Sequence, residues 1–501
     1  MKTRIYKIVM MVVLFAIVMP SCKKDFIEIN TDPNGTPKVL PQQLLGPALV
    51  NTVGINMLRS RSFNNELMQV TVDPSDAEGR VFRYDIRNTW ADYTWNGWYA
   101  QLINFKDVYK IASEPETLSP ILMGVSLICQ SWIASLLTDT YGDVPYFQAG
   151  QARDSLNYTP AFDKQKDIYL DIFKKLEEAN TRLTNAANLS SAASDPVYGG
   201  NALKWRKFGN SLYLRLLLRL SGKAEIAADC IAKIKDIVET NAARYPIMTL
   251  NDDSAVLRWT GTGALTSPFV GGVRAQDFRA PDIAEFFISN LVNWSDPRLN
   301  TRRWAIAPYM GGFSGVPSGY APGQGIEGRS YFYATDSNAP STLQTEPLMG
   351  NIMNYPELQL ILAEAAAKGW LTGSAETYYK AGALSSITFW IPAFDATTFD
   401  AYLLNGGMGW DNTATLDSKM EKIHLQKYYS MFWTDFEQWF EYRRTGHPIL
   451  PKGAGLRNNG MMPARLNYPV YVQSTNLSNY RAAVASQGSD DINTRVWWQK
   501  P

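Results

Sequence analysis

Apolar residues recur along most of this chain with the period of an α-helix. The clearest set falls at positions i, i+3, i+4 and i+7 of one segment: Trp95, Trp98, Tyr99 and Leu102. This spacing places the side chains on one helical face. The same periodicity is found in three further segments, 121–137, 165–183 and 205–220. Helices are therefore predicted to dominate the fold.

Residues 355–390 predict two helices that pack as a hairpin. The first half is rich in alanine, residues 369–373 contain the turn glycines, and the second half carries Tyr378, Tyr379 and Ile387. Small residues between two helices let the backbones approach closely, as in tetratricopeptide repeats. We therefore predict an all-α fold of tetratricopeptide-like hairpins, with long irregular loops and few short strands.

Between residues 251 and 349 the helical period is lost. Glycines interrupt a series of aromatic residues here, including Trp304, Tyr309 and Tyr320. A long irregular segment in a folded domain is usually functional or disordered, and disordered segments are poor in aromatic residues. Residues 251–349 are therefore predicted to form a loop-rich insert that contributes to function.

The N-terminus has the pattern of a bacterial lipoprotein signal. Positive residues precede an uncharged apolar run over residues 8–19, and Pro20, Ser21 and Cys22 follow it. The run is shorter than the ~20 residues that cross a bilayer. A cleaved signal is therefore favoured over the alternative, an uncleaved membrane helix. Met19 is an unusual residue at the third position before the cysteine.

Cleavage would make Cys22 the first residue of the mature protein. We expect Cys22 to be diacylated, with chains such as palmitate, because two acyl chains give stable attachment to a membrane. Residues 1–21 are then the signal peptide and residues 22–41 a lipidated tether with turn-forming residues. Residues 42–501 are predicted to form the folded domain.

The composition of the chain argues against one class of function and favours another. The 48 basic and 47 acidic residues balance, so the chain lacks the basic footprint of a nucleic-acid-binding protein. Its 15 Trp, 26 Tyr and 21 Phe residues are more than a helical scaffold needs for its core. Such a surplus often forms flat surfaces for ligands.

No metal site and no cofactor are predicted. The chain has two histidines, His424 and His447, and neither an HExxH nor a CxxC motif, which disfavours a site built from imidazole or thiolate ligands. Cys129 and Cys230 lie among apolar residues at helical spacing, where free cysteines behave as small hydrophobic side chains. Buried thiols are favoured, and a disulfide between the two cysteines stays open.

Two motifs fit an enzyme only weakly. Gly323, Gly325 and Gly328 have the spacing of a dinucleotide-binding loop, but their flanks suit neither the strand nor the helix that such a loop needs. Glu437 and Glu441 lie four residues apart on one predicted helix face, whereas a glycosidase pair flanks a cleft. We expect a flexible loop and structural ion pairs, respectively. A glycosidase that uses these carboxylates alone is the enzymatic alternative.

A set of sequence motifs resembles a known family. After the lipoprotein cysteine the chain carries, in order, INTDPN at 29–34, DTYGDVPY at 139–146, YPE at 355–357 leading to AEAA at 363–366, WFEYRRTG at 439–446 and RLNYP at 465–469. Together they resemble the SusD/RagB family of outer-membrane lipoproteins of Bacteroidetes-type bacteria, over essentially the whole mature chain. One departure is Gln473, where family members often carry a glutamate.

The resemblance implies a location, a partner and a ligand. Such proteins have a tetratricopeptide-like helical scaffold anchored on the outer face of the outer membrane. They lie as a lid over a TonB-dependent porin and capture oligosaccharides, or less often peptides, for import. The expected function is therefore capture and delivery of an oligosaccharide without catalysis, and a peptide-capturing lid is the alternative.

Two groups of residues combine aromatic rings with polar side chains, as a sugar-binding site requires. The first precedes the regular aromatic stripe, which itself is expected to belong to the core, and the resemblance also implies an aromatic loop there. The second comes from the loop-rich insert, where we expect neighbouring glycines to keep the rings accessible. The candidate ligand-binding residues are Arg83, Arg87, Asn88, Trp90 and Tyr93 in the first group, and Trp304, Tyr309 and Tyr320 in the second.

Overall fold

Helices account for most of the described part of the chain. The computed structural model describes residues 39–300, 303–324, 326–334 and 342–500. The predicted signal peptide, Cys22 and nearly all of the predicted tether lie outside these residues. The main helices are α1 Pro41–Arg59, α2 Trp90–Ala112, α3 Pro120–Tyr141, α4 Gln165–Leu183, α5 Ala202–Leu220, α6 Ala227–Lys235, α7 Glu285–Asn293, α8 Tyr355–Ala367, α9 Ala375–Trp390, α10 Phe399–Asn405, α11 Leu416–Ser430, α12 Glu437–Thr445, α13 Val470–Thr475 and α14 Leu477–Gln487. Short α-helical segments lie at Asn65–Leu67, Ala152–Ser155, Phe269–Gly272 and Ala275–Arg279.

The helix α3 lies at the centre of the scaffold. Every residue from Ile121 to Tyr141 is buried, because α2, α4 and α5 pack against it. Its length and hydropathy would suit a membrane span, yet its apolar window is entirely buried inside the protein. A helix that is apolar all round and covered by its neighbours is a core helix.

The helices α8 and α9 form the hairpin that the sequence predicts. Asn354 caps α8, since its Oδ1 accepts the N–H of Glu357 at 2.9 Å, which satisfies one of the free N–H groups at the helix start. Gly382 of α9 faces Leu360 of α8, and an added Cβ there would lie 2.6 Å from Leu360 Cγ. The absence of a side chain at Gly382 therefore sets how closely the two helices pack.

Two small antiparallel sheets connect the loop-rich insert to the rest of the fold. The strand β1 (Thr71–Val72) pairs with β3 (Asp282–Ile283), and β2 (Ala255–Leu257) pairs with β4 (Gly350–Met353). Thr71 lies opposite Ile283 in the first sheet. The predicted fold class, all-α with few short strands, is confirmed.

The insert also contains a helix that the sequence pattern did not predict. The helix α7 buries Phe287, Ile288 and Leu291. It is nine residues long, which is too short for a helical period to stand out between irregular flanks. The buried face of α7 joins the main core, so the insert is partly scaffold.

The two cysteines of the folded part are free and buried. Cys129 lies within α3 and Cys230 within α6. Burial raises the pKa of both thiols, that of Cys230 to about 12. Cys129 and Cys230 therefore do not form the disulfide that the sequence left open, and both are unreactive thiols.

Candidate ligand-binding surface

Arg59, Trp90 and Tyr93 form an aromatic platform where α1 ends and α2 begins. The guanidinium carbon of Arg59 lies 4.1 Å from the ring centroid of Tyr93 and 5.3 Å from that of Trp90. Trp90 is the first residue of α2, and residues three apart on a helix are surface neighbours. Two of the predicted residues, Trp90 and Tyr93, are thus brought together around an arginine from another helix.

The platform combines packed and exposed groups. The Tyr93 side chain is 37% exposed, whereas Trp90 is half-buried and its ring centroid lies 5.8 Å from that of Phe63. The Arg59 Nε atom is buried without a hydrogen-bond partner in the described part of the chain, and burial lowers the pKa of its guanidinium. The platform therefore offers an accessible ring at Tyr93, whereas the Arg59 Nε atom lies below the surface.

Arg87 and Asn88 are exposed in the turn that leads into α2. The Arg87 Nη2 atom donates a hydrogen bond to the carbonyl oxygen of Glu78 at 2.9 Å. Gly79, which has a φ of +75°, leaves room for the Arg87 side chain against the backbone. Both residues are placed at the solvent-facing side of this turn, as a ligand contact requires.

Arg83 and Tyr320 are close together, but both are buried. Arg83 is 2% exposed and Tyr320 is 6% exposed. The Arg83 guanidinium donates to the carbonyl oxygens of Tyr320 and Gly455 and lies 4.4 Å from the Tyr320 ring centroid. These contacts join three loops, so Arg83 anchors the insert to the scaffold. The expectation that glycines keep the Tyr320 ring accessible is wrong.

Trp304 and Tyr309 have different environments within the insert. Trp304 is fully buried, and its ring packs against Phe287, Trp390 and Phe432 in the main core. The expected accessibility of its ring is therefore also wrong. Tyr309 is half-buried. Its ring lies 5.1 Å from the Arg329 guanidinium. Because Tyr309 is only half-buried, part of its side chain stays exposed to solvent.

The two glutamates of α12 are buried in ion pairs, as the sequence predicts. Glu437 pairs with Arg219, and Glu441 pairs with Lys427 at 2.9 Å. Burial acts to raise the pKa of Glu437, but the guanidinium groups of Arg219 and Arg215 hold it below its ordinary value. Both carboxylates are therefore already engaged by permanent cations.

A buried cluster of Glu364, His424 and Glu441 resembles a metal site in its spacing only. Its candidate ligand atoms lie within 4.8 Å of one another. However, Arg444 pairs with Glu364 and Lys427 pairs with Glu441, and burial lowers the pKa of His424 to about 3. Because these positive side chains already neutralise the carboxylates, the cluster is a charge network of the core.

A comparison with models of known protein families shows to which family this chain belongs. The model of the SusD-like family, described as starch-binding and associating with the outer membrane, matches residues 33–469. The chain belongs to the SusD-like family. The resemblance inferred from the sequence motifs is thereby confirmed, and the family is described as associated with the outer membrane. No curated protein matches the chain.

Solved structures show the SusD-like fold over nearly the whole chain. A chitin-binding protein is 26% identical with a TM-score of 0.73, and 92% of this chain and 99% of that chain are covered. A putative outer membrane protein from Bacteroides vulgatus, described as probably involved in nutrient binding, is 25% identical with a TM-score of 0.75 and coverages of 92% and 100%. A chitin-binding SusD homolog from Flavobacterium johnsoniae is 22% identical with a TM-score of 0.75 and coverages of 92% and 98%.

Three residues were not predicted from the sequence: Arg59, which the structure places in the platform, and Tyr158 and Tyr471, whose side chains are exposed. Arg59 is a basic residue at the C-terminal end of a helix, where the helix macrodipole stabilises a positive charge. Its local sequence therefore does not distinguish it from other arginines at helix ends. Tyr158 stands between polar residues in a segment without helical period, and that pattern was a usable signal of exposure. Tyr471 follows a proline and a valine and gives no such signal.

Proposed function

We propose that this protein is a cell-surface lipoprotein that captures an oligosaccharide and delivers it to a TonB-dependent outer-membrane porin, without catalysis. Membership of a family described as starch-binding and associating with the outer membrane supports both the ligand class and the location. The similarity to a chitin-binding protein supports the same ligand class. The lipoprotein signal and the polar tether support anchorage through Cys22.

The platform of Arg59, Trp90 and Tyr93 is the observation that carries the proposal. A sugar ring has an apolar C–H face that stacks on an aromatic ring, and hydroxyl groups that need donors and acceptors. Tyr93 supplies an accessible ring, and the Arg59 guanidinium lies against that ring, where its Nη groups can donate to sugar hydroxyls. Arg87 and Asn88 add polar groups in the adjoining turn.

A glycan array with the purified full-length protein in detergent micelles tests the proposal. We expect binding to at least one α-glucan or chitin oligosaccharide. Tyr93→Ala is expected to weaken this binding by about 1–3 kcal/mol, the value of one large apolar contact, with a nearly unchanged melting temperature. Phe147→Ala is the matched control, because Phe147 is also exposed but lies outside the platform.

Trp90→Ala is a less clean variant than Tyr93→Ala. Trp90 packs against Phe63, so its removal is expected to lower the melting temperature as well as the affinity. A Tyr93→Ala protein that binds glycans as tightly as the wild type would exclude the platform. Retention of peptides, and not glycans, by the wild type would favour the peptide-capturing alternative.

The glycosidase alternative is tested by incubating the protein with the same oligosaccharides. Glu437 and Glu441 are buried and paired with cations, so we expect no new reducing ends. Turnover that is lost in Glu441→Gln would support the alternative.

For the porin partner, affinity purification from solubilised outer membrane is expected to recover a large β-barrel protein together with the lipoprotein.

A further inference from the structure

Three of the four exposed aromatic side chains on the described surface lie near one helix, α2. Within the described ranges, four aromatic side chains are exposed: Tyr93, Phe147, Tyr158 and Tyr471. Tyr93 belongs to the platform, Tyr471 bonds to Asn96 of α2, and Tyr158 lines a groove together with Trp95 and Tyr99 of α2. Because folded proteins rarely cluster large exposed apolar groups, such a concentration indicates a binding surface.

Tyr471 connects the platform to the next part of α2. Its hydroxyl donates a hydrogen bond to Asn96 Oδ1, and Asn96 follows Tyr93 by three residues, so the two share one helix face. The neighbouring residue, Val472, lines a groove together with Trp95. The exposed rings are therefore continuous with this groove.

The groove has an aromatic lining and a volume of about 190 Å³. Trp95 and Tyr99 of α2 form its inner side, since they are 6% exposed and half-buried, respectively. Tyr158 stands at the outer side with 72% of its side chain exposed. Thr475 is exposed at the groove edge, and its hydroxyl donates to the carbonyl oxygen of Tyr471 at 2.9 Å. An apolar lining with a few polar groups at the edge is the usual composition of a small-ligand site.

Hydrogen bonds hold the walls of the groove in place. The Tyr99 hydroxyl donates to the carbonyl oxygen of Pro145 at 2.6 Å, and Asn476 Nδ2 donates to the carbonyl oxygen of Pro160 at 2.7 Å. The loop that carries Tyr158 is therefore fixed at both ends. A preformed site loses less conformational entropy when a ligand binds.

The spacing suits a ligand of several linked rings. Tyr93 and Tyr99 are six residues apart on α2, which corresponds to about 9 Å along the helix axis and about 120° around it. Asn96, which accepts the hydrogen bond of Tyr471, lies between them on the helix surface. A chain of linked sugar rings can reach from one position to the other, whereas a single ring can occupy only one of them.

We propose that the groove between α2, Tyr158 and α13 is a second carbohydrate subsite, and that the platform and the groove together hold one oligosaccharide. The inference rests on the proposed function. In this arrangement one sugar ring stacks on Tyr93 and another stacks on Tyr158, while the Thr475 hydroxyl accepts a hydrogen bond from a sugar hydroxyl at the groove edge. The protein then selects ligands by length as well as by ring type.

Binding of a disaccharide and a hexasaccharide of the same series, measured by calorimetry with the full-length protein, tests the inference. The probes are α-1,4-glucan and chitin oligosaccharides. We expect Tyr158→Ala to weaken hexasaccharide binding about fivefold, the effect of one stacked ring, and to leave disaccharide binding unchanged. Tyr93→Ala is expected to weaken both. Phe147→Ala is the control, since Phe147 is exposed but does not line the groove.

The outcomes separate this inference from the proposed function. If the wild type binds neither series, the proposed function fails and the inference fails with it. If the wild type binds and Tyr93→Ala weakens binding, but Tyr158→Ala binds the hexasaccharide like the wild type, only the second subsite is wrong. Because Tyr158 is largely exposed, the variant is expected to fold, and an unchanged melting temperature checks this.

Discussion

Gly455 is a single residue on which the docking of the insert depends. A Cβ at this position would overlap the carbonyl oxygen of Tyr320 and the guanidinium of Arg83, which are the two groups that join the insert to the scaffold. We expect Gly455→Ala to lower the free energy of unfolding by about 1–3 kcal/mol, the usual cost of forcing a side chain into a packed site.

Urea denaturation followed by circular dichroism measures this cost. Gly222→Ala is the matched control, because an added Cβ at Gly222 meets no atom within 4 Å. Equal stability of the two variants would mean that the segment around Tyr320 moves away from Gly455 without loss.

The buried carboxyl group of Glu66 is expected to make the stability of the protein depend on pH. Burial raises the pKa of Glu66 to about 8, and the neighbouring Asp73 carboxylate adds to the increase. The unfolded chain releases this proton near the ordinary value of 4.5. Between these two values the native state therefore binds more protons than the unfolded state, so stability falls as the pH rises from about 4.5 to about 8.

Glu66→Gln removes this titration. We expect the free energy of unfolding of the wild type to fall by about 2–5 kcal/mol more than that of Glu66→Gln between pH 5 and pH 9. Urea denaturation at both pH values measures the difference, and Glu327→Gln, at an exposed glutamate, is the control. Identical pH dependence of wild type and Glu66→Gln would contradict the assignment.

At the scale of elements, the α8–α9 hairpin depends on one small residue. Gly382→Val would place a branched side chain against Leu360, and we expect it to destabilise the protein by about 1–3 kcal/mol. Leu360→Ala alone is expected to cost about 2–5 kcal/mol, because it leaves a cavity.

The double variant distinguishes overpacking from a loss of helix propensity. If the side chain introduced by Gly382→Val fills the cavity left by Leu360→Ala, the double variant will be more stable than the sum of the two single effects predicts. Thermal unfolding of the four proteins measures the coupling. Strict additivity would show that Gly382 is needed for another reason.

For the whole molecule, the proposed lipid anchor at Cys22 would hold the folded domain at the membrane. Cys22 lies outside the described residues, so this prediction comes from the sequence: Cys22→Ala is expected to shift the protein from the membrane fraction to the soluble fraction. Fractionation and immunoblotting measure the shift. Cys129→Ala, at a buried thiol, should stay in the membrane. A Cys22→Ala protein that also stays there would point to an uncleaved membrane helix.

The family of this protein and its helical architecture could be predicted from the chain alone. Helical period is a local property, so residues three or four apart suffice to show it, and the hairpin at 355–390 and the core stripe around Trp98 were predicted for that reason. The short helix α7 was not, because nine residues among loops carry too little periodicity. The family motifs likewise need only residue order, not spatial contacts.

Only the tertiary structure decided which aromatic residues reach solvent. Trp304 and Tyr320 belong to the glycine-rich insert, yet residues distant along the chain, such as Phe432 and Arg83, cover them. Arg59 meets Tyr93 because two separate helices end and begin at one place. The exposure of a side chain depends on contacts with residues from the whole fold, and a local sequence pattern does not show which distant residues those are.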